Sequence, residues 1–265
     1  MIYFVGAGSG AKDLITVRGA QLLQEADMII YAGSLVNPQL LEYAKSSCRI
    51  YDSARLTLEE VAGLMLDAEK QRLVTVRLHT GDPCLYGAIR EQMDLLSDHG
   101  VEYTVVPGVS SFCGAAAALK AEYTLPDVSQ SVIITRMAGR TPVPPQEDLR
   151  LLAAHGSTMV IFLSMGQISQ MAAELLAGGA YTEDTPAAIV YKATWPEEKV
   201  YYCTIGTLQK TAEEHHITKT ALVTVGDFLG NQYQRSKLYD PAFTTEFRQA
   251  KTSESEKPDL SGETR

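Results

Sequence analysis

The sequence predicts an α/β protein of two α/β domains, the first on a mainly parallel sheet with helices on both faces, the second on a mixed sheet. Three observations carry this. Short β-branched runs alternate with helical patterns over the first 120 residues. After Glu122 the pattern changes and two strands fall at hairpin spacing. Glycine- or proline-marked turns follow several of the early strands. The domains are placed at residues 1–118 and 119–240, with a disordered tail over 241–265; its last fifteen residues are charge-rich and hold one Leu.

Taken in order, residues 2–5 read as a strand, followed by a glycine-rich turn. Thr16 caps a helix over 17–26, and residues 28–31 and 49–51 are the next strands. Thr57 and Glu60 have the spacing of a capping box, and Val61, Leu64, Met65 and Ala68 share one face of the helix behind it. A strand over 73–78, a Thr-Gly-Asp-Pro turn, a helix over 88–99 and a strand over 102–106 follow. Pro107 and Gly108 then lead into a small-residue helix over 110–119. In the second half, 131–135 and 158–163 are strands flanking a helix over 146–154, and another helix covers 168–176. Residues 187–192 and 199–204 make the hairpin, and 221–225 completes the set.

The chain has 265 residues, 45% of them hydrophobic, so it can bury a sizeable core. With 23 basic and 32 acidic side chains the net charge is -9. That balance counts against a protein that grips nucleic acid through its phosphates. Cys48, Cys84, Cys113 and Cys203 are scattered without zinc spacing, which fits a reducing compartment. The opening Met-Ile-Tyr-Phe-Val has no early Lys or Arg, so no signal peptide is expected. The most apolar stretch, 109–119, is too short to span a bilayer. A cytoplasmic protein without a membrane partner is the expectation.

Three strand ends hold the candidate chemistry. Gly6-Ala7-Gly8-Ser9-Gly10-Ala11 follows the first strand, where glycines let the backbone approach a ligand and present N–H groups to it. The stretch also fits the permissive G-x-G-x-x-A dinucleotide fingerprint, and equally a plain tight turn. A nicotinamide reading needs an acidic residue at the end of the second strand; Tyr31 stands there instead. The second strand end is Thr80-Gly81-Asp82-Pro83, the third Val106-Pro107-Gly108-Val109-Ser110-Ser111. Open α/β sheets place ligands at such carboxyl ends, and three of them in one half-chain indicate a cofactor cleft.

These motifs give the chain its family resemblance. V-G-A-G-S-G at 5–10, T-G-D-P at 80–83, V-P-G-V-S-S at 106–111, F-L-S-M-G at 162–166, Y-K-A-T-W-P at 191–196 and A-L-V-T-V-G at 221–226 resemble the tetrapyrrole methylases. These are the S-adenosylmethionine enzymes of corrin and sirohaem synthesis. The likeness spans residues 3–229. R-L-H-T-G-D-P-C-L-Y-G-A-I and R-M-A-G-R-T-P-V-P, the latter at 136–144, look most like the branch that methylates carbon 11 of precorrin-4, with or without cobalt. The resemblance implies S-adenosylmethionine in a cleft between two domains. It implies contacts from Thr80, Gly81, Asp82, Leu85, Ser110 and Ser111 on one side and Met165, Ala193 and Ala221 on the other. It also implies an anionic tetrapyrrole substrate, a homodimer and no resident metal. Ser9 belongs to the cofactor loop, but many members have Pro there, so this loop lacks proline's rigidity. Thr80 replaces a more general Gly and is typical of the precorrin-4 branch.

Two roles are open for Asp82: assisting proton adjustment at the methylated carbon, or only hydrogen-bonding the cofactor. Arg136 and Arg140, four apart, either grip substrate carboxylates bidentately or form a solvated surface pair. His79 lies beside the cofactor turn and reads as a packing or hydrogen-bonding residue rather than a metal ligand. The competing functions are another ring-carbon methylase, a ribosomal-RNA or diphthamide methylase of the same fold, a nicotinamide-dependent oxidoreductase and a non-catalytic cofactor sensor.

Overall fold

A computed structural model describes residues 1–250; the expected tail therefore lies outside the described residues from 251 onward. Residues 241–250 turn around Arg248, whose guanidinium donates to the carbonyls of Leu238, Asp240 and Phe243.

The first sheet comprises β1 (Ile2–Gly6), β2 (Met28–Tyr31), β3 (Arg49–Asp52), β4 (Thr75–His79) and β5 (Tyr103–Val106), all parallel in the order β3-β2-β4-β1-β5. Its inner strands β1, β2 and β4 are almost wholly buried, which fits the Ile/Val/Phe character of β1 and β2, whereas the edge strands β3 and β5 are partly exposed. One face carries Val5, Ile29, Val76 and Leu78, packed with Leu23 of α1 (Val17–Glu25). The other carries Ile2, Phe4, Met28 and Ile30 under Val61 and Met65 of α2 (Leu58–Lys70) and Leu96 of α3 (Arg90–Asp98). The Thr57/Glu60 capping box forms, and Thr16 caps α1 through the N–H of Gly19. The helix expected from residue 88 begins only at Arg90, because Tyr86 and Ala88 take positive φ (56° and 49°) that no helix accepts.

The second sheet joins β6 (Val132–Arg136), β7 (Thr158–Phe162), β8 (Pro186–Tyr191), β9 (Lys199–Thr204) and β10 (Ala221–Val225) in the order β6-β7-β10-β8-β9. Only β6 and β7 are parallel; β8 and β9 form the expected hairpin. One face packs on α5 (Leu149–Ala153), α6 (Ile168–Ala177) and α7 (Leu208–Glu214). α5 is shorter than its pattern, because Asp148 caps it through the N–H of Arg150 and a separate 3-10 turn covers Pro145–Glu147. The other face is covered by α4 (Ser111–Leu119): Ala115 and Leu119 pack with Val160, Phe162, Ala188, Val190 and Leu222. α4 thus follows a strand of the first sheet yet lies on the second. Its alanines let helix and sheet approach closely. Among the described residues no helix is long and apolar enough to cross a membrane.

β4 also carries a buried polar column. Arg77 is 6% exposed, and its Nε and Nη1 donate to Gln92 Oε1 at 3.0 Å and to the Ile30 carbonyl at 3.1 Å. Burial lowers its pKa to about 10, so it stays charged at neutral pH. Replacing Gln92 with Leu leaves Nε without an acceptor in the interior. A loss of about 1–3 kcal/mol in urea unfolding is expected.

Candidate functional site

Parallel pairing of β1 with both β4 and β5 brings the three glycine- or proline-marked strand ends side by side, although about 75 and 100 residues of chain separate them. They touch through backbone. Gly8 and Gly81 exchange two hydrogen bonds, N–H to carbonyl, at 3.2 and 3.0 Å. Ala7 N–H donates to the His79 carbonyl at 2.7 Å. A Cβ on Gly108 would come within 2.2 Å of the Gly81 oxygen, and one on Gly6 within 2.6 Å of Gly108 Cα. Glycine is therefore required at both positions by space alone.

Asp82 ties the second turn to the third. Its Oδ1 accepts from the Cys84 N–H and its Oδ2 from the Gly108 N–H, both at 2.8 Å. Partial burial pushes its pKa up, but the bonds from Cys84 and Gly108 outweigh this and hold the carboxyl below its ordinary value. Both oxygens of an ionised Asp82 are engaged in bracing, which favours positioning over proton transfer.

The second half meets this cluster at two points. In the β8–β9 loop, Thr194 Oγ1 accepts from the Ala11 N–H at 3.0 Å and bonds Ser9 Oγ at 2.9 Å. Trp195 stands against Gly10, where a Cβ would come within 2.1 Å of the indole. Asn37 Nδ2 secures the same loop by donating to the Gly10 carbonyl at 2.8 Å. Further along, the Tyr86 ring tilts on Phe162 at 5.4 Å between centroids. Tyr86, Ala88, Leu163, Lys192 and Thr194 all have positive φ, five of the ten such non-glycine residues among those described. Each costs about 1–2 kcal/mol relative to the right-handed basin, and such strain gathers where a surface must be held in one shape.

The residues expected at the site divide accordingly. Ser9, Thr80, Gly81, Asp82, Ser110 and Ser111 lie on the three joined strand ends; Leu85 follows in the same turn, its N–H donating to the Asp82 carbonyl. Ala193 adjoins Gly10 through its carbonyl. The Met165 side chain is buried in the core between the second sheet and α5–α7, and Ala221 packs against that core. Ser110 precedes α4 without capping it, although its side chain is buried. Among the described residues, Thr80 Oγ1 is buried without a partner, as is His79 Nε2. His79 is 2% exposed and stacks on Phe4; burial and the charge of Arg77 lower its pKa to about 3, leaving it neutral. Arg136, partly exposed, folds back on its own turn and donates to the carbonyls of Met137, Thr141 and Pro142, while Arg140 is exposed. Thr194, Trp195 and Asn37 were missed from the sequence. The Y-K-A-T-W-P motif contained the first two, but nothing in one sequence pairs it with the glycine loop.

The cavity of about 140 Å³ beside Arg77, Gln92, Ser53 and Thr57 lies on the α2–α3 side of the sheet, away from these tips. Among the described residues no group of three or more His, Cys, Asp or Glu is placed to hold a metal ion. Backbone groups, small hydroxyls and two exposed apolar side chains, Tyr86 at 44% and Leu163 at 66%, define a site that binds and orients rather than one that attacks.

Fold and site together define an α/β protein of two sheets in which three strand ends of the first meet a loop of the second. The family model for Tetrapyrrole (Corrin/Porphyrin) Methylases matches residues 1–209, and the chain belongs to this family. It is 50% identical over 250 residues to a cobalt-precorrin-4 C(11)-methyltransferase of Methanocaldococcus jannaschii, covering 94% of this chain and 96% of that one. The X-ray structure of a cobalt precorrin-4 methyltransferase, a cobalamin biosynthetic enzyme, superposes with a TM-score of 0.84 at 46% identity over 87% of this chain and 96% of the other. Uroporphyrin-III C-methyltransferase from Thermus thermophilus, complexed with S-adenosylhomocysteine, aligns at TM-score 0.71 and 27% identity over 86% and 98%.

Gly108→Ala forces the second and third strand ends apart. It is expected to lower stability by about 1–3 kcal/mol in denaturant unfolding. Gly63→Ala, in α2 with nothing within 4 Å of its added methyl, is the control and gains about 0.5–1 kcal/mol. The Asp82 brace has a definite pH sign. A lowered folded pKa means its contribution is complete above the unfolded value of about 3.8 and fades as pH falls through the folded one. Amide exchange at Gly108 should therefore stay protected from pH 5 to 8 and become fast in Asp82→Ala.

Proposed function

We propose that this chain is an S-adenosylmethionine-dependent C-methyltransferase that methylates carbon 11 of a precorrin-4-type ring in corrin biosynthesis. The observation that carries the reading is its half-identity to the M. jannaschii enzyme over nearly the full length of both chains. The cobalt-bearing ring is our reading of the acceptor, since both the M. jannaschii relative and the superposing X-ray structure are named for it. A homodimer is the accompanying reading from the family resemblance, and a cytoplasmic location the reading from the scattered cysteines; light scattering at twice the chain mass tests the dimer.

The strand tips fit the donor. Among the described residues Thr80 Oγ1 is a buried hydroxyl without a partner, and the Ser110 hydroxyl does not cap α4. Gly81 at φ 62° holds its backbone open, with ordinary contact to Ser110. Thr80, Gly81, Leu85, Ser110 and Ser111, with Ser9, Ala193 and the backbone of Met165 and Ala221, would hold the donor. When bound, S-adenosylmethionine supplies an electrophilic methyl group, so the electron pair comes from the acceptor carbon and no protein nucleophile is needed. The chain's residues orient the partners and exclude water. Tyr86 and Leu163, from opposite halves, provide apolar surface for a flat ring. Asp82 holds the two turns that flank the donor. The net charge of -9 disfavours an anionic acceptor at long range, so local cations must recruit it. Arg140, exposed beside the turn that Arg136 braces, is the residue we assign to a ring carboxylate.

Incubation with methyl-labelled S-adenosylmethionine and cobalt-precorrin-4 should place the label on carbon 11 in the carbon NMR spectrum. Label at another ring carbon, or none, refutes the assignment. Arg140→Gln should weaken acceptor affinity about tenfold with S-adenosylhomocysteine affinity unchanged; equal acceptor affinity removes that role. Asp82→Asn should weaken S-adenosylhomocysteine binding several-fold and leave kcat within about threefold. A proton-transfer role would instead lower kcat by about 10²–10⁴ with binding intact.

A further inference from the structure

The contact between the β8–β9 loop and the glycine loop is more than packing. Thr194 is β-branched yet held at φ 66°, and Lys192, two residues earlier, at 46°. The loop is fastened in that shape from its own side: Thr194 N–H donates to Glu198 Oε2 at 2.6 Å, Trp195 N–H to the Lys192 carbonyl at 3.0 Å, and Lys192 N–H to the Thr220 carbonyl at 2.9 Å. The result aims one hydroxyl at two targets 183 and 185 residues away, the Ala11 N–H and Ser9 Oγ. From there hydrogen bonds run on without a gap in the chain of contacts. Gly8 of the glycine loop pairs with Gly81, and Asp82, its neighbour, accepts from Gly108. Gly114 closes the rear, since a Cβ there would come within 2.8 Å of Ser9 Cβ and 3.1 Å of Thr194 Cγ2.

We propose that Thr194 and Ser9 form a latch between the two halves, and that Thr194 is a positioning residue which sets the three donor-binding strand ends through the glycine loop. The Ser9 hydroxyl ties the glycine loop to the opposite half. The donor-positioning part of this inference rests on the methyltransferase reading; the latch itself does not.

The chain offers its own reporter. Trp195 is its single tryptophan and stands against Gly10, next to the latch. The test compares Thr194→Val, which keeps the shape and loses the hydroxyl, with Thr194→Ser, Ser9→Ala and the Ser9→Ala/Thr194→Val double variant. Thr194→Val should raise the Kd for S-adenosylhomocysteine and the KM for the methyl donor about tenfold while kcat stays within about threefold. Thr194→Ser should restore binding to within about threefold of wild type. Ser9→Ala should cost less than Thr194→Val, because Ala11 keeps its acceptor, and the double variant should be no worse than Thr194→Val. Trp195 emission should move to longer wavelength in Thr194→Val without any ligand. Wild-type S-adenosylhomocysteine affinity in Thr194→Val, or fully additive losses in the double variant, overturns the positioning role. If the wild type binds no S-adenosylhomocysteine, it is the methyltransferase reading that fails, and the emission of Thr194→Val still decides the latch: an unmoved spectrum overturns it.

Discussion

The structure depends on a backbone crossing with no room for side chains. Gly6, Gly81 and Gly108, at or just beyond the ends of β1, β4 and β5, approach so closely that a methyl group on Gly6 or Gly108 would overlap a neighbouring main chain. Peptide groups of three separate segments can then bond to one another, as Gly8 and Gly81 do. A site made this way has little freedom to relax, because its geometry is set by the register of the parallel strands beneath it. Asp82 extends the same logic by using both carboxylate oxygens on main-chain N–H groups.

Around that crossing the molecule accepts local penalties. Tyr86, Leu163 and Thr194 sit in the left-handed region, and Thr80 Oγ1 and His79 Nε2 are buried without partners. Each is unfavourable alone, and their gathering at one place separates a binding surface from a stable core. The chemistry to be performed explains why stronger catalytic groups are not needed. Methyl transfer from a sulfonium demands alignment and dryness, which backbone, small hydroxyls and apolar side chains provide.

Much of this was legible in the sequence. The alternation of strands and helices, the capping box at Thr57, the hairpin and the three glycine- or proline-marked strand ends followed from local pattern, and the structure has them. The motifs also led to the family. What local pattern does not contain is adjacency. Strand order decides that residues 6–11, 80–83 and 106–111 meet, and α4 gives no sign in its alanines of which sheet it will cover. Thr194 escaped for the same reason, since its partners lie more than 180 residues away. The acceptors of Arg136 are carbonyls of its own turn, set by a loop conformation that composition does not encode. Helix starts shifted where a positive φ at Ala88 or a capping Asp148 intervened.

We propose that the three glycine-marked strand ends, joined by backbone hydrogen bonds and Asp82, together hold the methyl donor. Amide hydrogen exchange of the full chain with and without S-adenosylhomocysteine tests it most directly. Added protection is expected on residues 6–11, 80–85 and 108–111 together, with the α2–α3 side of the first sheet unchanged. Protection confined to that side, or none at the three strand ends, would contradict it.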